Sequence, residues 1–261
     1  MRYWRVLLVA GRSLLLQVAH PVVAAGVAQH SDYMTDPWGR LDRTINVYLG
    51  VIFGGVDGAV DAGASLREMH KRVKGVDANG RSYHALEPEP FHWVHATLVD
   101  GIAVMLERFE RPLSGAELEE LYAEMREVGR LYGVRDRDMP PDWAAFRTYF
   151  DEFVRTKLED NEVVRNVLGS LARPVRPPWL PLPEGAWRVG SRPAVRVSSL
   201  ATVGLLPPTL RERWGLRWTR ANELELQAYA GVIRRAVPLL PARLKLTQPA
   251  YAARRRRDVH Q

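Results

Sequence analysis

Seven histidines, at positions 20, 30, 70, 84, 92, 95 and 260, are the side chains best suited to bind a metal or move a proton near neutral pH. His92 and His95 lie three apart in Phe91-His92-Trp93-Val94-His95, a spacing that puts both on one face of a helix. His70 stands within Arg67-Glu68-Met69-His70-Lys71-Arg72-Val73-Lys74-Gly75, and His20 within Gln17-Val18-Ala19-His20-Pro21. The chain has no cysteine. That excludes a disulfide framework, thiolate metal sites, a cysteine nucleophile and covalent haem attachment through C-x-x-C-H. Any metal would be held by His, Met, Tyr, carboxylate or another non-thiolate group.

Several common chemistries fail on spacing. A di-iron carboxylate site needs two Glu-x-x-His motifs and two further glutamates on bundle helices. Here there is one, Glu89 to His92, with Pro90 inside it. No H-E-x-x-H, P-loop, G-x-G-x-x-G or G-x-S-x-G occurs, and Gly54-Gly55 followed by Gly58 lacks a preceding strand. Arg40 and Thr44 are four apart and project together from a helix. They make either a surface arginine with a packed threonine or a polar pair aimed into a pocket.

The elements that must position these residues are helical nearly throughout, and the fold class is all-α. Apolar spacing predicts helices over 5–19, ended or kinked by Pro21, then 21–30, 39–53 and 58–74, with Gly75 as the closing glycine. In the helix 39–53, Leu41, Ile45, Tyr48 and Ile52 share one face, and Gly54-Gly55 closes it. A polar loop, 77–90, precedes a long helix from Phe91 to Phe109. Ser114 with Glu117 forms a capping box for 115–131. Pro141-Asp142 opens a helix to Leu158, and Asn161 caps 162–172. Five prolines between 174 and 183 make 174–193 an extended strap, followed by helices near 193–204, 207–215 and 220–237. No β-alternation of any length is visible. The reading is one domain over 1–253 and a basic tail over 254–261.

Composition bounds the rest. At 261 residues, 46% hydrophobic and 26% charged, the chain can bury a sizeable core. Residues 1–164 carry 19 basic and 25 acidic side chains; residues 165–261 carry 18 and 5. The basic third could face nucleic acid or anionic lipid, but a solvated basic surface is the simpler expectation. Arg2 and Arg5 before an apolar run resemble a signal peptide, yet Gly11, Arg12 and Gln17 interrupt it. No stretch has the ~18 apolar residues of a membrane span. The expectation is a cytoplasmic protein, with peripheral membrane contact left open.

Taken together, the segments resemble the MpaB-type oxygenase family, the haem-dependent family that includes the latex clearing proteins. The resemblance rests on Leu14-Leu15-Leu16-Gln17-Val18-Ala19-His20-Pro21, Gly26-Val27, His30-Ser31, Asp36-Pro37, Gly39-Arg40-Leu41, Arg43-Thr44 and Phe53-Gly54. It continues through His70, Val73-Lys74-Gly75, Tyr83-His84-Ala85, Trp93-Val94-His95-Ala96-Thr97-Leu98, Leu206-Pro207 and Arg211-Glu212-Arg213-Trp214-Gly215-Leu216. It implies a globin-like helical core around haem b, with His70 as the proximal iron ligand. It also implies that Arg40 and Thr44 lie on the distal side, where dioxygen and substrate meet. His20 and His95 stand in equally recognisable segments and are further candidates to touch haem or line its pocket. His30, His84 and His92 are expected to be structural or exposed.

Two departures bear on this. Latex clearing proteins carry a lysine just before the distal threonine; here that residue is Arg43, a poor iron ligand because guanidinium stays protonated. The sixth iron position is then open, water-filled, or taken by another residue such as His20 or His95. The chain also begins close to the first matching helix, where family members usually have more chain, which favours a soluble reading. The resemblance implies oxidative cleavage of a carbon–carbon double bond in an apolar, isoprenoid-like substrate, with dioxygen as co-substrate. A haem sensor, carrier or peroxidase-like scavenger is the alternative, and an Arg-rich lipid or nucleic-acid binder the third. The last lacks helix-turn-helix spacing or aromatic–basic interleaving, so no nucleic-acid partner is expected. Oligomeric state is not legible.

Overall fold

The computed structural model describes residues 4–53, 55–77 and 79–241. A 3-10 turn, Trp4–Val9, leads into α1 (Ala10–Val18) and α2 (Pro21–His30). Then come α3 (Pro37–Phe53), α4 (Gly55–His70), β1 (Lys74–Val76), β2 (Ser82–His84), α5 (Pro88–Phe109) and α6 (Gly115–Tyr132). The second half holds α7 (Trp143–Thr156), α8 (Glu162–Ala172), α9 (Glu184–Gly190), α10 (Arg192–Gly204), α11 (Pro208–Arg213) and α12 (Arg220–Ala236). The all-α expectation holds. Gly54, Arg254 to Arg257 and His260 lie outside the described residues, as do the side chains of Tyr48 and Ile52.

Local chemistry explains most boundaries. Ser114 accepts from the Glu117 amide while Glu117 reaches back to the Ser114 amide, the reciprocal box read from the sequence. Asp142 and Asn161 cap α7 and α8 through the Ala145 and Val164 amides. Between α1 and α2 the chain turns by 103°. Pro21 is the first residue of α2, where its missing N–H is harmless, and His20 is the N-cap, its Nδ1 accepting from Val22 N at 3.2 Å.

That turn exposes no unmet carbonyls. Leu16 O accepts from the Trp93 indole at 2.8 Å, Val18 O from Asn161 Nδ2 at 2.8 Å, and Ala19 O from Glu159 N at 2.8 Å. The apolar N-terminal run is therefore core. Leu15, Leu16 and Val18 are fully buried against Trp93 and Val99 of α5, Phe150 and Phe153 of α7, and Val164 of α8. Trp93 stacks on Phe153 at 4.2 Å between ring centroids. No single helix among the described residues is long and apolar enough to cross a membrane. A second core joins Val9 and the end of α5 (Met105, Phe109) to α10 and α12. A third, around Ala59 and Tyr132, fastens α4 to α5 and α6.

Three expectations need correction. The helix read as 58–74 spans Gly55–His70, and Gly75 is a strand residue paired with Tyr83. A Cβ on Gly75 would press on Gln29 Oε1 and come within 3.0 Å of the Tyr83 hydroxyl, so the glycine lies in a close contact between α2 and the hairpin and is not a helix cap. The three-residue strands are too short to show alternation in sequence, which hid the hairpin. Finally, the strap read as 174–193 is extended only to Pro183; Glu184–Gly190 is helical.

Candidate functional site

α3 and α4 form a hairpin on the outside of the bundle, and they carry Arg40, Thr44 and His70. α4 reaches the bundle through Ala59, Ala62 and Leu66, which pack on Tyr132, Val128 and Leu131 of α6 and on Phe91 and Leu98 of α5. At Gly63 the two helices touch backbone to backbone, because a Cβ there would collide with the Leu131 carbonyl. The same carbonyl accepts from Arg67 Nη1 at 2.7 Å, so α4 caps the end of α6. Gly63→Ala is expected to push α4 outward and destabilise the protein by about 1–3 kcal/mol. Chemical denaturation would check it; an unchanged midpoint would refute the close contact.

His70 closes α4. Its Nδ1–H donates to Leu66 O at 2.8 Å, one turn back. That bond fixes the tautomer and leaves Nε2 as the lone-pair nitrogen, with no partner among the described residues. Phe91 meets the imidazole edge to face at 5.7 Å. Burial holds the imidazole below its ordinary pKa, so the ring is neutral at pH 7 and basic at Nε2. This is the state a metal-binding histidine needs.

Arg40 is half-buried on α3, and its guanidinium has no hydrogen bond or ion pair among the described residues. Burial lowers its pKa; Tyr33 opposes that and Arg43 adds to it. Thr44 is exposed, its hydroxyl donating to Arg40 O at 2.9 Å. Arg43 turns away from the pair. It bonds Asp36 Oδ2 at 3.2 Å and faces Asp32 at 3.9 Å, on the surface. Among the described residues, one uncommitted cation, one hydroxyl and one neutral imidazole with an unpartnered nitrogen thus lie on a single hairpin. This donor set suits a haem, whose iron takes imidazole and whose propionates take arginine.

The other two candidates are engaged elsewhere. His20 uses Nδ1 for the α2 cap, and its Nε2 faces Glu89 Oε1 at 3.6 Å. His95 is fully enclosed between α5 and α6, with a backbone hydrogen bond to Met125 and the Tyr132 ring edge-on at 6.1 Å. His92 is buried as well, against Tyr149 at 4.9 Å. His30 Nε2 meets Lys74 O at 3.1 Å, and His84 Nδ1 accepts from Leu86 N at 3.1 Å. Two clefts on the described surface are lined by other residues. One, of about 630 Å³, includes Asp100, Arg147 and Arg211; the other, of about 130 Å³, adjoins Phe91.

Buried neutral histidines carry a stability consequence. Desolvation holds His92 down to about 4 and His95 down to about 3. In the unfolded chain each titrates near 6.5. Below that value the unfolded state binds protons that the folded state refuses, so stability is full above pH ~6.5 and falls towards pH ~4. A melting temperature that declines across this window is expected, and one that stays level from pH 7 to 4 would contradict it.

Sequence reasoning missed Tyr33, Leu66 and Phe91. Leu66 was discoverable, since the carbonyl four residues back is the natural acceptor for a histidine ending a helix. Phe91 was not, because nothing local joins the start of α5 to the end of α4.

The comparisons with known proteins bear on the family. The model of a family described as "ER-bound oxygenase mpaB/B'/Rubber oxygenase, catalytic domain" matches residues 1–235. Two proteins each share 28% identity over 251 residues, covering 91% of both chains: Uncharacterized protein Mb2261 of Mycobacterium bovis and Uncharacterized protein Rv2237 of Mycobacterium tuberculosis. No solved structure matches.

Proposed function

This chain belongs to the mpaB/rubber oxygenase catalytic-domain family, and from that we propose that it is a haem b-dependent oxygenase acting on an apolar alkene of small-molecule size. The observation that carries the proposal is the state of His70. Its Nδ1–H is spent on Leu66 O at 2.8 Å, and Nε2 is left to take iron. A carboxylate on Nδ1 would make the ring more anionic; a carbonyl keeps it a neutral donor. When bound, haem supplies the oxygen activation that no side chain here can provide.

The remaining roles fall to α3. Arg40 keeps its charge, because even a lowered guanidinium pKa lies far above neutrality. Its N–H donors, unengaged among the described residues, would hold a haem propionate, and partial burial would strengthen that bond. Thr44 offers its two hydroxyl lone pairs as acceptors while its proton is held by Arg40 O. Arg43, held by Asp36 and unable to lose its proton, would not ligate a haem iron. The cytoplasmic expectation belongs to this reading too.

Protein produced with a haem precursor is expected to show a Soret band. It should also consume dioxygen with an isoprenoid alkene and release carbonyl products. A preparation without a Soret band would overturn the proposal. A band without turnover would leave a haem-binding sensor or carrier.

A further inference from the structure

The proposed chemistry leaves the strap between α8 and α10 unused, and its surface has two properties at once. It is apolar where apolar side chains are least at home. Trp179 is 68% exposed and Val189 62%, with Val175 and Leu182 also exposed. It is also basic. Between 173 and 192 stand four arginines and one acid, Glu184. Glu184 lies 3.8 Å from Arg176, while Arg173, Arg188 and Arg192 are exposed with no acidic partner among the described residues.

The strap is held in this display. Trp38 Nε1 donates to Val175 O at 2.9 Å, and Trp187 Nε1 to Pro174 O at 2.9 Å. Arg176 Nη1 ties Leu180 O at 2.5 Å across the intervening turn. Two indoles therefore spend their N–H groups on the strap backbone. The third, Trp179, meets Trp38 edge-on at 5.5 Å and keeps its own N–H free of any partner among the described residues. The same patch continues onto exposed Met34, whose sulfur lies 3.9 Å from Ser170 Oγ.

We propose that residues 173–192, with the start of α3, form a docking surface for an anionic lipid bilayer. An indole with a free N–H prefers the headgroup boundary, where its ring is apolar and its N–H is wet. Branched aliphatic side chains beside it enter the acyl region, and unpaired arginines meet lipid phosphates. The charge of the patch opposes that of the membrane, whereas a second copy of this chain would bring like charges together. The surface also borders Trp38, two residues before Arg40. Its purpose, supply of a bilayer-dissolved alkene to the α3–α4 hairpin, rests on the function proposed above; the docking does not.

The test is co-sedimentation of the full chain with vesicles, read without haem or substrate. The protein should pellet with mixed phosphatidylcholine–phosphatidylglycerol vesicles and stay in solution with phosphatidylcholine alone, and added salt should weaken the binding. Leu182→Ser with Val189→Ser, which leaves the Trp38–Trp179 contact in place, should weaken binding by about tenfold. Arg173→Glu with Arg188→Glu should do the same at an unchanged melting temperature. No pelleting with anionic vesicles would overturn the proposal. So would binding lost only when the 254–257 arginines become serine, or a dimer that the Leu182→Ser, Val189→Ser variant dissociates. Each of these readings is independent of whether the Soret band and turnover appear.

Discussion

His70→Ala is expected to remove the Soret band of the haem-loaded protein while the fold survives. The imidazole sits at the last residue of α4, half-buried, so little else depends on it. Truncation gives up one hydrogen bond to Leu66 O and one edge contact with Phe91. A bond of that kind is worth about 0.5–1.5 kcal/mol, set against a folding stability of about 5–15 kcal/mol. Loss of the iron ligand has no such bound, because Arg40 and Thr44 are unsuited to ligate iron. Exogenous imidazole should restore the Soret band, at the same or a shifted wavelength, by occupying the vacated space, a response that a purely structural histidine would not give. A normal spectrum in His70→Ala would transfer the ligand elsewhere. His20 and His95 would then have to leave the α2 cap and the Met125 backbone, and melting would report it.

Asp100→Ala is expected to be the most damaging single change to stability. Asp100 is buried on α5 between two guanidiniums, Arg12 Nη1 at 2.5 Å and Arg147 Nη1 at 2.5 Å. Arg12 is itself buried and also donates from Nε to Leu205 O at 2.6 Å. Removing the carboxylate strands Arg12's charge in the core, and breaking a buried pair in this way costs about 3–5 kcal/mol. Arg147 is different. Its head is partly in solvent and holds Asp151 at 2.7 Å as well, so Arg147→Ala should cost under about 1 kcal/mol. Urea denaturation of both variants would decide it. Equal losses would mean that solvent reaches Asp100 and that the pair is not a buried one.

How much of this was legible follows the range of each interaction. The caps at Ser114, Asp142 and Asn161 were readable because donor and acceptor lie three residues apart. The presence of α3 and α4 as helices carrying Arg40, Thr44 and His70 was readable from helical spacing, but their pairing into one hairpin was not. The end of α4 was not. Its stop at His70 depends on Lys74–Val76 pairing with Ser82–His84 and on Gln29 of α2 donating to Val76 O at 2.8 Å. Arg12 shows the same limit from another side. In the sequence it merely interrupts an apolar run. In the fold it is half of a buried pair with a residue of α5, and no local pattern announces such a partner. The helical turn after Pro183 was hidden because proline was read as a breaker, although it can equally well precede a first turn.

The central position of α1 has a consequence for how the chain is made. Arg5 bonds Phe109 O, Trp93 caps Leu16, Asn161 caps Val18, and Arg12 reaches Leu205. This N-terminal segment therefore finds its last partner nearly two hundred residues later. At about 5–20 residues per second, the ribosome leaves its apolar face uncovered for roughly 10–40 s. Over that interval the uncovered Leu14-Leu15-Leu16 run is a natural client for chaperones, and slower elongation would lengthen its exposure to aggregation.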